Sequence, residues 1–185
     1  MADLFPAHTT ETAPEEARSA LTTALKQLGF VPTMMAKFAE APLLLQAYQT
    51  AAGFFDKSSF NPTERLVVLL TASYLNNCDF CMSAHSWGAG RQGLDADVIV
   101  ALREGRTLTD TRLEALRSFV RALVMERGAV READRQAFFA AGFTARQALE
   151  AVLGVATKAM TNYTNALAGT PPNAEFGDAI WRRHA

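Results

Sequence analysis

The sequence predicts an all-α protein built as one compact multihelical domain. Three observations carry that expectation. Alanine and leucine are abundant, alternating runs of β-branched residues are missing, and glycine or proline recurs between stretches of helical periodicity. A chain of 185 residues is long enough to bury a single core of its own.

Residues 1–12 read as a loose N-terminal arm. Thr12 then caps a first helix, with Pro14 and the acidic pair Glu15-Glu16 in its opening turn and Gly29 as its stop. Pro32 and Pro42 open two more helices, the second carrying Leu44, Leu45, Tyr48 and Phe55. Asn61-Pro62-Thr63-Glu64 is a strong helix start. Asn61 caps, Pro62 suits the first helical position, and Glu64 can reach back to the cap amide. An apolar helix from Leu66 to Leu75 follows and ends at Asn76-Asn77, a pair that tolerates the turn needed there. Cys78 falls just after this helix. Cys81 falls at or near the start of the next, which runs to about Gln92 and stops at Gly93. Further helices are expected at about 95–104, 110–127, 131–141 and 145–168, punctuated by Gly105, Gly128, Gly142 and Gly169. Thr144 with Gln147 makes a second capping box. Ala148, Val152, Ala156, Ala159 and Tyr163 line one face of the last long helix, where small residues permit close packing. Thr170-Pro171-Pro172 breaks the chain before a C-terminal tail, 173–185, that holds Trp181.

Composition excludes several classes of function. Net charge is −1 and there is no long basic run, which argues against a nucleic-acid surface or a polybasic membrane patch. The most apolar stretch is far short of a membrane span. Met1-Ala2-Asp3-Leu4-Phe5 lacks the charged and apolar regions of a secretory signal, so a cytoplasmic protein is expected. No G-x-G-x-x-G or phosphate loop is present, and no nucleotide or flavin cofactor is expected.

The only two cysteines are Cys78 and Cys81, in a C-x-x-C pair, and His85 follows one helical turn later. Helix N-terminal amides and a nearby imidazolium stabilise a thiolate, and they bring a cysteine pKa down to roughly 3.5–7.5. Cys81 and His85 are four apart and share a helix face, so His85 can act as the base that ionises Cys81. A Cys81 thiolate could attack a peroxide O–O bond, giving a sulfenic acid that Cys78 condenses into a disulfide. Cys78, outside the helix, is the sulfur placed to meet an external reductant. Three other readings use the same residues: ordinary buried cysteines, a metal site of Cys78, Cys81 and His85 that lacks a fourth ligand, and a thiol-disulfide exchanger without peroxidase activity.

The segment from Leu75 to His85, L-N-N-C-D-F-C-M-S-A-H, resembles the core motif of alkylhydroperoxidase D-like proteins within the carboxymuconolactone decarboxylase superfamily. Leu28-Gly29-Phe30-Val31-Pro32 resembles the family's opening segment. Asn162-Tyr163-Thr164-Asn165 with Gly169-Thr170-Pro171 resembles the closing segment of its peroxidase-related subgroup. The resemblance implies an all-α oligomer, a dimer, trimer or hexamer, acting as a thiol peroxidase. Its implied partners are a hydroperoxide substrate and a thiol, lipoylated or thioredoxin-like reductant. It makes Cys81 the peroxidatic cysteine, Cys78 the resolving one and His85 the relay histidine. The related decarboxylases lack the cysteine pair.

The chain departs from that pattern at three places. Leu66 stands where the characterised peroxidase has a relay glutamate, and the nearby Glu64 is two residues earlier, about 200° around the helix. Glu64 therefore reads first as a capping residue, with a relay role as the alternative. Phe80 replaces a second histidine between the cysteines, and Ala166 follows Asn165 where the subgroup often has histidine.

Elsewhere, Tyr74, Tyr163 and Trp87 read as packing residues, the two tyrosines with an alternative place in the thiol pocket. Asn162 and Asn165 bond either across an interface or near the site. Asp79 points to solvent or meets a helix-start amide, and His8 and His184 are exposed and idle. Two functions are carried forward: a thiol-dependent peroxidase, and a redox sensor or small-ligand-binding oligomer on the same fold.

Overall fold

The structure is a computed structural model that describes residues 4–182. Met1 to Asp3 and His184, for which the sequence suggested an arm and an idle side chain, lie outside the described residues. The described residues form nine α-helices and one short 3-10 helix. The helices are α1 (Glu15–Leu28), α2 (Thr33–Phe38), α3 (Pro42–Asp56), α4 (Pro62–Leu75), α5 (Asp79–Arg91), α6 (Ala96–Arg103), α7 (Thr111–Met125), α8 (Glu132–Ala140) and α9 (Ala145–Leu167). The 3-10 helix spans Ala174–Ala179.

Helix α4 is the centre. Packed against α5, α6, α7 and α9, it has Leu66, Val67, Val68 and Leu70 to Ser73 buried, as a helix enclosed on most sides requires. Its start is the expected capping box: Asn61 accepts from the Glu64 amide and Glu64 accepts from the Asn61 amide. The main core lies between α4, α7 and α9, with Phe119, Phe138 and Phe143 stacked at 4.2 and 4.6 Å between ring centroids. Gly154 permits the α3–α9 approach. A Cβ there would lie 2.7 Å from both Phe55 and Val68.

A second, smaller core gathers the N-terminal helices around α5 and contains Leu21, Met34, Phe38, Leu45, Phe80 and both cysteines. Ala13, before α1, and Phe176, in the 3-10 helix, both belong to it. The stretch before α1 is tied down rather than loose: His8 N donates to Ala36 O, and Lys37 Nζ donates to Phe5 O. His8 is not idle either, since its Nε2 lies 2.7 Å from Glu40 Oε2. Thr12 does not cap α1. Its hydroxyl accepts from the Thr9 amide within a local turn, and the helix begins after Pro14. Short hydroxyl side chains readily form such turns, and here that competes with the cap. The C-terminal tail also packs. Phe176 is buried against Phe30, Phe80 and Trp87, and the Trp181 indole donates to Arg103 O at 2.8 Å.

On α9 the face of small residues divides, with Ala148 packed on the main core and most of the residues further along it turned outward. Thr157, Lys158, Thr161, Asn162 and Asn165 face inward. Val152, Ala156, Tyr163 and Leu167 face outward, with Tyr163 63% and Leu167 72% exposed.

Candidate active site

The site begins with the turn after α4. Asn77 takes φ 54°, the left-handed conformation that asparagine tolerates, and reverses the chain into α5. Cys78 becomes the N-cap of α5, and its Sγ accepts from the Cys81 amide at 3.4 Å. The helix therefore starts at Asp79, ahead of Cys81, and the cysteine pair brackets its first turn. Asp79 lies 3.8 Å from Arg182, an exposed and hence weakly coupled pair.

Both thiols are reduced and buried, Cys78 4% and Cys81 2% exposed. Only Cys81 borders the adjoining cavity of about 210 Å³. Cys78 is thus not the outward-facing sulfur that its position outside the helix suggested, because the N-terminal helices and the C-terminal segment cover it. The cavity walls are apolar and largely aromatic, with Phe30, Phe80, Trp87 and Phe176 beside the Met34–Met35 pair. Trp87 both packs, edge-on to Phe30, and faces this space. Tyr48 lines it too, whereas Tyr74 packs on Trp181 and covers Gly105, and Tyr163 is exposed.

Helix α9 completes the site with residues the motif does not contain. Lys158 is 2% exposed, and its Nζ donates to His85 Nε2 at 2.7 Å. Thr161 Oγ1 lies 3.6 Å from Cys81 Sγ. Asn165 Nδ2 spans both sulfurs, 3.6 Å from Cys78 and 3.4 Å from Cys81. Asn162 bonds Asn76 and Ser73 instead, fixing α9 to the end of α4. Nothing near the cysteines signals Lys158. A pointer was available in α9 itself, where polar residues recur at 157, 158, 161, 162 and 165 with helical spacing.

These contacts separate the two thiols. Burial pushes the Cys81 thiol up, but the Cys78 thiol, the Lys158 ammonium and the Thr161 hydroxyl outweigh it and bring Cys81 down to about 5. Cys78 moves up, because it donates to Cys81, is buried, and faces the Cys81 charge. Burial and then the Lys158 charge hold His85 well below its usual value, so it is a neutral imidazole at pH 7. An ammonium has only donors, so His85 Nε2 is the acceptor and the ring proton sits on Nδ1. The positive charge beside the thiolate is therefore that of Lys158, not of a His85 imidazolium. Burial raises Tyr48, and the Cys81 charge raises it further, so Tyr48 stays a neutral phenol.

Glu64 is engaged elsewhere. Its Oε2 accepts from the Asn61 amide, and its Oε1 lies 3.1 Å from the Arg112 guanidinium. Both oxygens serve the α4 start and its tie to α7, and among the described residues no hydrogen bond joins Glu64 to His85. Leu66, at the relay position, borders a separate cavity of about 420 Å³ on the other side of His85, with Asp56, Arg65 and Gln92. Among the described residues no three His, Cys, Asp or Glu side chains converge to hold a metal ion. No helix among them is long and apolar enough to cross a membrane.

Comparison with known proteins agrees on the architecture. The model of the carboxymuconolactone decarboxylase family matches residues 39–123, from the end of α2 to α7. A peroxidase-related protein from Ralstonia eutropha JMP134, described as an alkylhydroperoxidase AhpD core, superposes with a TM-score of 0.78 at 24% identity over 93% of each chain. One from Silicibacter sp. TM1040 gives 0.80 at 22% identity, covering 95% of this chain and 93% of the other. A complex of a cysteine-to-alanine variant of the debrominase Bmp8 with 2,3,4-tribromopyrrole gives 0.81 at 17% identity over 97% of each chain. A search of curated proteins found no match. This chain therefore has the all-helical fold of the alkylhydroperoxidase D-like and carboxymuconolactone decarboxylase superfamily.

Proposed function

We propose that this protein is a thiol-dependent peroxidase that reduces organic hydroperoxides through Cys81 and Cys78. The observation that carries the reading is the asymmetry of the pair. Cys81 faces an apolar cavity and ionises easily, while Cys78 sits behind it as a protonated thiol. Cys81 thiolate attacks the distal oxygen, the O–O bond breaks, and the alkoxide leaves and takes up a proton. The Cys81 sulfenic acid then condenses with the Cys78 thiol, releasing water and forming a disulfide. A dithiol reductant of the lipoylated or thioredoxin-like class returns both thiols. His85 acts here by holding Lys158 rather than by deprotonating Cys81. The apolar outer face of α9 supports assembly with further copies of the chain.

The test is the reaction of reduced protein with one equivalent of cumene hydroperoxide, followed by free-thiol count and intact mass. Loss of both thiols with loss of two hydrogens supports the reading. Cys81→Ser then abolishes the reaction, and Cys78→Ser stops at a sulfenic acid. Thiols that survive the peroxide favour the alternative, a dithiol sensor or ligand-binding protein.

The aromatic walls favour one second reading, a flat halogenated ring as substrate, the ligand class held by the debrominase of the same fold. Bromide release from a bromopyrrole by the reduced protein would move this reading ahead of the peroxide one.

A further inference from the structure

Lys158 is a buried cation, and among the described residues no carboxylate forms an ion pair with it. Its neighbours are a neutral imidazole and the Cys81 sulfur. Burying an ammonium without a carboxylate is costly, and its retention beside a reactive sulfur points to chemistry. An ammonium has three N–H donors. One lies on His85 Nε2, the ammonium also stabilises the Cys81 thiolate, and Lys158 borders the cavity. The charge attracts the thiolate, and the ammonium has donors beyond the one on His85 to offer a molecule bound in that cavity.

Resting on the peroxidase reading above, we propose that Lys158 is the catalytic acid of the oxidation step. As Cys81 attacks the distal oxygen, Lys158 gives its proton to the departing alkoxide. Thiolate, hydroperoxide and ammonium become sulfenic acid, alcohol and neutral amine, and solvent reprotonates the amine before the next turnover. An alkoxide is a poor leaving group unless it is protonated, and a cationic donor on the cavity wall can supply that proton as the O–O bond breaks. His85 is a positioning residue, its Nε2 lone pair fixing the ammonium toward the sulfur. Tyr48, Trp87 and His85 also carry an O–H or N–H on the cavity wall, but Lys158 alone among the lining residues carries a positive charge.

The proposal separates two effects of Lys158, charge on the thiolate and proton for the leaving group. Lys158→Met is compared with the unaltered protein in single-turnover reactions with cumene hydroperoxide, peracetic acid and iodoacetamide. Each rate is divided by the thiolate fraction read at 240 nm. Carboxylate and iodide leave without a proton, so these two normalised rates stay close to those of the unaltered protein. The normalised cumene hydroperoxide rate falls roughly 10²–10⁴-fold, the span of general acid catalysis. An equal loss with all three reagents, or no selective loss, overturns the proposal while leaving the peroxidase reading standing. A selective loss in Tyr48→Phe instead of Lys158→Met also overturns it. Failure of the unaltered protein to react with either peroxide sinks the functional reading itself. Should Lys158→Met not fold, the unaltered protein still decides. A solvent deuterium isotope effect with cumene hydroperoxide that is absent with peracetic acid supports the acid role, and equal effects refute it.

Discussion

Removing the Lys158 charge should shift the ionisation of Cys81. An ordinary cysteine, titrating near about 8.5, is about 3% thiolate at pH 7. Cys81, brought down to about 5, is almost wholly thiolate there, a gain of roughly thirtyfold in the reactive form. In Lys158→Met the burial that opposes ionisation and the Thr161 hydrogen bond remain, and the lysine charge and hydrogen bond that favoured the thiolate are gone. The inflection should move upward, and the iodoacetamide rate at pH 7, uncorrected for ionisation, should fall by up to about thirtyfold. The assay is alkylation rate against pH from 4 to 10 in Cys78→Ser backgrounds with and without Lys158→Met. Because that background also removes the Cys78 hydrogen bond, the comparison isolates the lysine. An inflection that does not move between the two would refute the assignment of the thiolate's counter-charge to Lys158.

The same shift has a signature in stability. Between the folded value near about 5 and the unfolded value near about 8.5, the unfolded chain holds a proton on Cys81 that the folded chain has lost. Stability from this group is therefore fully present above about 8.5 and is lost as pH falls toward 5, with the unfolding constant rising about tenfold per pH unit. His85, kept neutral in the fold, adds in the same direction below about 6.5. Cys78 has the opposite sign. Its raised value lowers stability once pH climbs past about 8.5, so the three together place the optimum near mildly alkaline pH. Urea unfolding of reduced protein across pH 5 to 9 reads this directly.

Three further outcomes are expected. Glu64→Ala should cost roughly 1–3 kcal/mol in urea unfolding by removing the side-chain half of the capping box and the Arg112 ion pair, while the Cys81 titration stays in place. A shifted titration would return Glu64 to the site. Gly154→Ala should destabilise by roughly 1–3 kcal/mol, because its methyl meets Phe55 and Val68 at 2.7 Å inside a packed core. Val152→Glu with Tyr163→Lys should lower the assembly state seen by sedimentation without reducing helix content. Unchanged sedimentation would remove this face from any interface.

The sequence by itself determined most of the local structure and half of the site. Helix caps are local hydrogen bonds, so the capping boxes at Asn61–Glu64 and Thr144–Gln147 were legible without tertiary information. The C-x-x-C-x-x-x-H pattern was legible for the same reason, since one helix places Cys81 and His85 on a shared face. Docking of the segment before α1 was not legible, because the tie from Lys37 to Phe5 spans 32 residues and has no periodic signal.

What only the tertiary structure decided is which face of α9 turns inward. Hydrophobicity alone would bury Val152, Ala156 and Tyr163 and leave Lys158 in solvent. The fold does the reverse. It sets Lys158 against a histidine 73 residues away in sequence and brings Asn165 to both sulfurs. Lys158, Thr161 and Asn165 are tolerated there because they find partners in the thiol site, as Asn162 does on α4, and partners that distant exist only once α4, α5 and α9 have packed.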